Sequence, residues 1–229
     1  MKNLWCVARS CAAIARWFTS AESRADARLG ILISGRGSNL RAIIDAVQQG
    51  RLDAEIAVVL SNVPDAAGLE SARDAGVPTE VLPHKEWRSR DAYDAALVDK
   101  LREHRVSLVC LAGFMRLLSA AFIDAFSNRV LNIHPSLLPA FPGLDAQRQA
   151  LEHGVKVSGA TVHFVTADLD AGPIILQTPV AVLPSDTAET LAARILEEEH
   201  RLYPEAIRRV LRGGWRIENR RFIEAAEQK

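Results

Sequence analysis

Short apolar runs alternate with helically spaced segments from Arg28 onward, and that rhythm restricts the fold more than any other feature of the chain. Leu29–Ser34 reads as a buried strand and Gly35-Arg-Gly-Ser-Asn39 as a turn. Leu40–Val47 then reads as a helix, with Leu40, Ile43, Ile44 and Val47 on one face and Gly50 ending it. Ala54–Leu60, Ser61–Asp65 and Ala66–Ala75 repeat the strand, turn and helix, with Gly76 as the stop. Thr79–Leu82 and Ser89–His104 form a third strand and helix. Ser107-Leu-Val-Cys-Leu-Ala112 is the most apolar run and reads as a central strand, of the kind covered on both faces in a parallel sheet. Val130–Ile133, Gly159–Thr166 and Ile174–Val182 are further strands. Thr187–Leu211 is a long helix capped by Asp186 or Thr187, with Glu189 placed to complement the helix dipole. The pattern predicts an α/β protein: an open, mostly parallel, twisted sheet flanked by helices, in one domain over residues 28–213. Residues 214–229 read as a tail, in which Trp215–Phe222 is a candidate edge strand. Residues 1–27 are rich in Ala, Arg and Ser, and read first as a dispensable extension and second as a transit peptide.

Charge and cysteine content narrow the function. Lys plus Arg (28) equals Asp plus Glu (28), so no net field draws the chain to nucleic acid or an anionic membrane. Charged residues interrupt every apolar stretch long before a membrane span is reached. Cys6, Cys11 and Cys110 form no disulfide framework and suggest no metal cluster, which points to a reducing compartment and a cytoplasmic protein.

Three motifs can carry chemistry. Ser34-Gly-Arg-Gly-Ser-Asn-Leu40 joins a strand to a helix; its glycines permit a tight turn, and the free N–H groups of the helix start suit one phosphate. It lacks the Lys of a P-loop and the third glycine of the dinucleotide fingerprint, and a plain βα turn capped by Ser38 is the competing reading. Asn132-Ile-His134-Pro-Ser follows a strand, and alternation puts Asn132 and His134 on one side. An amide beside an imidazole suits a developing oxyanion and a proton transfer. A His satisfied by a backbone carbonyl is the bland alternative, but Pro135, Pro139 and Pro142 argue for a stiff, shaped loop. In Asp168-Leu-Asp170-Ala-Gly-Pro173, Asp168 reads as a turn former and Asp170 as the functional carboxylate, which beside His134 would stabilise its charged form. His163 faces either the site or the surface.

Taken in order, these motifs resemble the phosphoribosylglycinamide formyltransferase family. The matching segments are Ile33–Leu40, Leu111-Ala-Gly-Phe-Met-Arg116, Leu131-Asn-Ile-His-Pro-Ser-Leu-Leu-Pro139, Pro142-Gly-Leu144, Val162-His-Phe-Val165, Leu169-Asp-Ala-Gly-Pro-Ile174 and Glu199-His-Arg-Leu-Tyr-Pro204. The resemblance implies a Rossmann-like formyltransferase of purine biosynthesis, with 10-formyltetrahydrofolate as co-substrate and no metal. It implies Asn132, His134 and Asp170 as the catalytic trio, with Gly37, Ser38, Asn39 and Glu199 holding the ribonucleotide. Arg90, Met115, Arg116, Leu117, Leu118 and Asn132 would line the folate pocket. Small-molecule substrates and a monomer or homodimer follow. The chain departs from the family at Asp145-Ala146-Gln147, where many relatives carry His-Thr-His. The nearest rival is a formyltetrahydrofolate deformylase, which shares the trio but is expected to need a further domain ahead of it.

Overall fold

A computed structural model describes residues 27–225. Nine strands form one sheet: β1 (Arg28–Ile33), β2 (Glu55–Ser61), β3 (Thr79–Val81), β4 (Leu108–Leu111), β5 (Val130–His134), β6 (Val157–Phe164), β7 (Ile174–Ala181), β8 (Trp215–Glu218) and β9 (Arg221–Glu224). Six α-helices accompany them among the described residues: α1 (Ser38–Gln48), α2 (Ala67–Asp74), α3 (Arg90–Glu103), α4 (Ala120–Ala125), α5 (Ala146–Glu152) and α6 (Ala188–Arg212). The strand order is β3-β2-β1-β4-β5-β6-β7-β9-β8. The first five of these run parallel, β6 runs antiparallel to both β5 and β7, β9 joins β7 in parallel, and β8 pairs antiparallel with β9. The α/β class and the mostly parallel sheet flanked by helices are those expected from the sequence.

Chain order reverses between β1 and β4, so the loops leaving these two strands diverge at their C-terminal ends. Ligands of open α/β sheets settle in such a crevice. The central strands are apolar on both faces: Leu29, Ile31, Leu32, Ile33 and Leu108–Cys110 are wholly buried. On α6, Leu191, Ile195, Leu202, Ala206, Ile207 and Val210 recur at three- and four-residue spacing and form the buried face. Tyr203 on the same face shares its hydroxyl proton between Leu111 O and Leu131 O, at 3.0 and 3.1 Å, tying α6 to β4 and β5. The helix is capped by Thr187 through a reciprocal bond pair with Thr190.

The structure revises several boundaries. α1 starts at Ser38, with Gly37 rather than Ser38 as its cap. α4 and α5 have six and seven residues, too short to show a helical period in the sequence. Residues 215–224 form not one strand but a hairpin. Asn219 and Arg220 make its two-residue turn at φ 47° and 70°, the left-handed pair that suits the twist of a tight hairpin. Most of the N-terminal extension, including Cys6 and Cys11, lies outside the described residues. Cys110 is free and buried, and burial raises its pKa.

Candidate active site

β5 presents Asn132 and His134 on one face, and its antiparallel register with β6 sets His163 opposite Asn132 and Thr161 opposite His134. All four side chains therefore share a face. The β6–β7 connection then doubles back, and Gly172 makes this possible: a Cβ there would lie 1.7 Å from Phe164 O. The fold-back delivers Asp170 to the same place. Its Oδ2 accepts from Gly143 N–H at 2.8 Å and lies 3.4 Å from His134 Nδ1, while Oδ1 lies 3.7 Å from His163 Nε2. The trio expected from the sequence thus converges, with His163 as a fourth member.

Hydrogen bonding fixes the rings. His163 Nδ1 is 2.8 Å from Phe164 O, and a carbonyl only accepts, so Nδ1 carries the proton. In the neutral ring Nε2 then accepts from Asn132 Nδ2, at 3.3 Å. Burial depresses the His163 pKa, opposed by the Phe164 carbonyl and Asp170 and aided by His134, which agrees with a neutral ring. Asn132 keeps a second amide proton for a ligand. His134 Nε2 donates to Phe141 O at 2.8 Å and its Nδ1 faces Asp170, so both nitrogens meet acceptors.

The loop that follows His134 is held from below. Thr161 Oγ1 donates to Ser136 O at 2.6 Å and accepts from Leu138 N–H at 3.0 Å. Gln177 Nε2 bonds Thr161 Oγ1 and Leu138 O, each at 2.9 Å. From the side, Gln149 on α5 bonds Pro142 O and Leu144 O, at 3.2 and 2.8 Å, and the His153 ring lies 5.2 Å from Phe141. Asp145, the first residue of the departure from the family, caps α5 in the left-handed region with no side-chain bond. Support for the loop therefore comes from Gln149 and His153, one and two turns further along.

At the switch point, α1 is capped by Gly37 at φ 74°, and a Cβ there would lie 2.6 Å from Gly68 Cα. The first helical bond is Arg41 N–H to Gly37 O, so the amides of Ser38, Asn39 and Leu40 precede the ladder and can meet an anion. Asn39 Nδ2 donates to Glu199 Oε2 at 2.7 Å across 160 residues, and both side chains are buried. Asn39 Oδ1 is buried without a partner. Burial raises the Glu199 pKa, and the Asn39 bond partly offsets this.

The residues assigned to folate fall into two groups. Met115 and Leu117 are exposed apolar side chains at 70% and 59%, and Leu118 packs into the core below them. Arg116 lies over the Tyr93 ring at 5.0 Å with its Nε buried and unpartnered. Burial pushes the Tyr93 hydroxyl up to about 12, Arg116 opposing and Asp94 assisting. Arg90 opens α3 one turn before Tyr93; it is exposed, and no bond joins it to Met115–Leu118.

One connection was invisible in the sequence. Ser34 Oγ accepts from Met115 N–H at 2.9 Å and donates to Asn62 Oδ1 at 2.6 Å, and Ser34 N–H donates to Gly113 O at 3.1 Å. Asn62 Nδ2 continues the chain to His84 Nδ1 at 3.2 Å. Ser34 therefore ties the loop after β1 to the loop after β4. Among the described residues no group of three or more His, Cys, Asp or Glu side chains is arranged to hold a metal ion.

A strand-end amide, imidazole and carboxylate thus lie beside a free helix N-terminus on this sheet. Residues 27–207 match the family model described as formyl transferase, and the chain belongs to that family. Within it, the chain is 49% identical over 177 residues to the phosphoribosylglycinamide formyltransferase of Escherichia coli, covering 77% of this chain and 84% of that protein. The crystal structure of glycinamide ribonucleotide transformylase 1 from Symbiobacterium toebii superposes with a TM-score of 0.86 at 55% identity, covering 94% of this chain and all of that one. The trifunctional purine biosynthetic protein adenosine-3 of Bos taurus is 48% identical over 202 residues, or 88% of this chain. The chain spans only 20% of that longer protein.

Proposed function

We propose that the chain transfers a formyl group from 10-formyltetrahydrofolate to the amine of 5′-phosphoribosylglycinamide, giving formylglycinamide ribonucleotide and tetrahydrofolate in purine biosynthesis. The observation that carries this reading is the convergence of Asn132, His134 and Asp170 at the end of β5, with Oδ2 of Asp170 3.4 Å from His134 Nδ1. The same sheet edge offers the open first turn of α1 to a phosphate, and buried Glu199 and Asn39 to the ribonucleotide.

In this mechanism Gly37, Ser38 and Asn39 hold the ribonucleotide phosphate, and Glu199 helps orient the sugar. Met115 and Leu117 offer an apolar surface to the pterin, backed by Leu118, with Arg116 and Arg90 for its polar and anionic parts. The substrate amine attacks the formyl carbon. Asn132 donates its free amide proton to the oxyanion that develops, and the positive charge of a protonated His134 stabilises it from beside. A preorganised donor of this kind is worth about 3–4 kcal/mol. Asp170 balances the charge on His134 and assists the proton that leaves the amine to reach the folate nitrogen. One C–N bond forms, one breaks, and the proton passes from amine to leaving group. The reading carries with it a cytoplasmic site of action, small-molecule substrates only, and a monomer or homodimer.

The test follows folate release from 10-formyltetrahydrofolate with and without the ribonucleotide. Release that depends on the ribonucleotide supports transfer. Release at the same rate without it makes the chain a deformylase, and no release removes both readings.

A further inference from the structure

The β8–β9 hairpin lies beyond residue 207, where the family match ends, yet it reaches back to the site. It is anchored firmly. Glu224 accepts from Arg209 at 2.9 Å and from Arg212 at 2.8 Å, joining β9 to the end of α6. Trp215 Nε1 donates to Val210 O at 2.9 Å. Trp215 and Phe222 pack on Phe164, with ring centroids 5.2 and 6.0 Å away. Phe164 is the residue whose carbonyl sets the His163 tautomer.

The hairpin turn makes the informative contact. Arg220 donates from its guanidinium to Ala171 O at 2.6 Å, and Ala171 follows Asp170. The pairing of Arg221 with Ile174 sets this turn at the exit of the β6–β7 connection. Asp170 itself sits at φ 48°, in the left-handed region, uncommon for a residue with a side chain though less so for Asp, and its surroundings help hold it there. Two of those surroundings are visible: Gly143 N–H holds the carboxylate, and Arg220 holds the next carbonyl.

We infer that Arg220 is a positioning residue: by fixing the Ala171 carbonyl it keeps the Asp170 carboxylate turned toward His134. What the positioned carboxylate then does rests on the formyl-transfer reading. Arg220 is exposed, so its removal opens no cavity in the core.

The test uses the full chain with Arg220→Ala and Arg220→Lys. Its first readout needs no substrate. The Gly143 amide is bonded to Asp170 Oδ2, so its hydrogen exchange, followed by NMR, reports where the carboxylate is. Arg220→Ala is expected to speed that exchange by about tenfold while core amides stay unchanged. It is expected to lower kcat by roughly three- to tenfold, with KM for both substrates within about twofold and Tm unchanged, and Lys should restore most of the loss. Unchanged exchange at Gly143 overturns the clamp. Faster exchange with unchanged kcat overturns its role in positioning, as does a loss of activity that tracks a fall in Tm. A parent chain without formyl transfer removes the proposed function instead, and the exchange result still decides the clamp.

Discussion

Asp170→Asn is the substitution that separates charge from shape at the site. Asn keeps an oxygen for the Gly143 amide, so the β6–β7 connection should hold its course. What disappears is the negative charge 3.4 Å from His134 Nδ1. At an effective dielectric of about 20, Coulomb's law gives about 5 kcal/mol for a full imidazolium–carboxylate pair at that separation. Only the share gained as charge develops lowers the barrier, about 3–4 kcal/mol, or roughly 10²- to 10³-fold in kcat. Single-turnover and steady-state kinetics with 10-formyltetrahydrofolate and the ribonucleotide should show this loss with both KM values little changed. A variant whose kcat stays within about tenfold of the parent would refute the reasoning, because the carboxylate charge would then not be used in the transition state.

Three further outcomes follow from the geometry. Ser34→Ala strands the Met115 amide and the oxygen of buried Asn62, so KM for the folate should rise by about tenfold, or about 1.4 kcal/mol, and Tm should fall by a few degrees; an unchanged folate KM argues against the tie between the loops. Gly37→Ala forces a side chain into the left-handed region and against Gly68, and should cost about 1–3 kcal/mol of stability in denaturant titration along with ribonucleotide affinity. Glu199 has a folded pKa raised by burial, so its favourable contribution is complete below the unfolded value near 4.5 and is lost as pH rises through the folded value. Glu199→Gln should therefore melt higher than the parent at pH 8 and by a smaller margin at pH 4, while binding the ribonucleotide less well; a margin independent of pH contradicts the assignment.

The strand–helix rhythm was legible because β1, β2 and β4 are apolar on both faces and α6 repeats its buried residues at helical spacing. Asn132 and His134 were legible because alternation within a single strand settles their common side. Asp170 stood out only as a carboxylate in a Gly-Pro turn, and its approach to His134 depends on the fold-back that Gly172 permits. The face taken by His163 is set by the β5–β6 register, which no local pattern states. The Ser34 tie joins residues 28 and 81 positions apart, brought together only because β1 lies beside both β2 and β4. The contacts of Gln149 and of the Arg220 turn were not legible for a related reason: each acts through a backbone carbonyl, which carries no sequence signature.

The central claim is tested most directly by following the carbon itself. Isotopically labelled formyl on 10-formyltetrahydrofolate, the ribonucleotide and the purified chain are mixed, and the products are separated by mass spectrometry. The account predicts the label in the ribonucleotide, on its glycinamide nitrogen, in an amount equal to the tetrahydrofolate released. Label recovered as free formate, with the ribonucleotide unmodified, would contradict it.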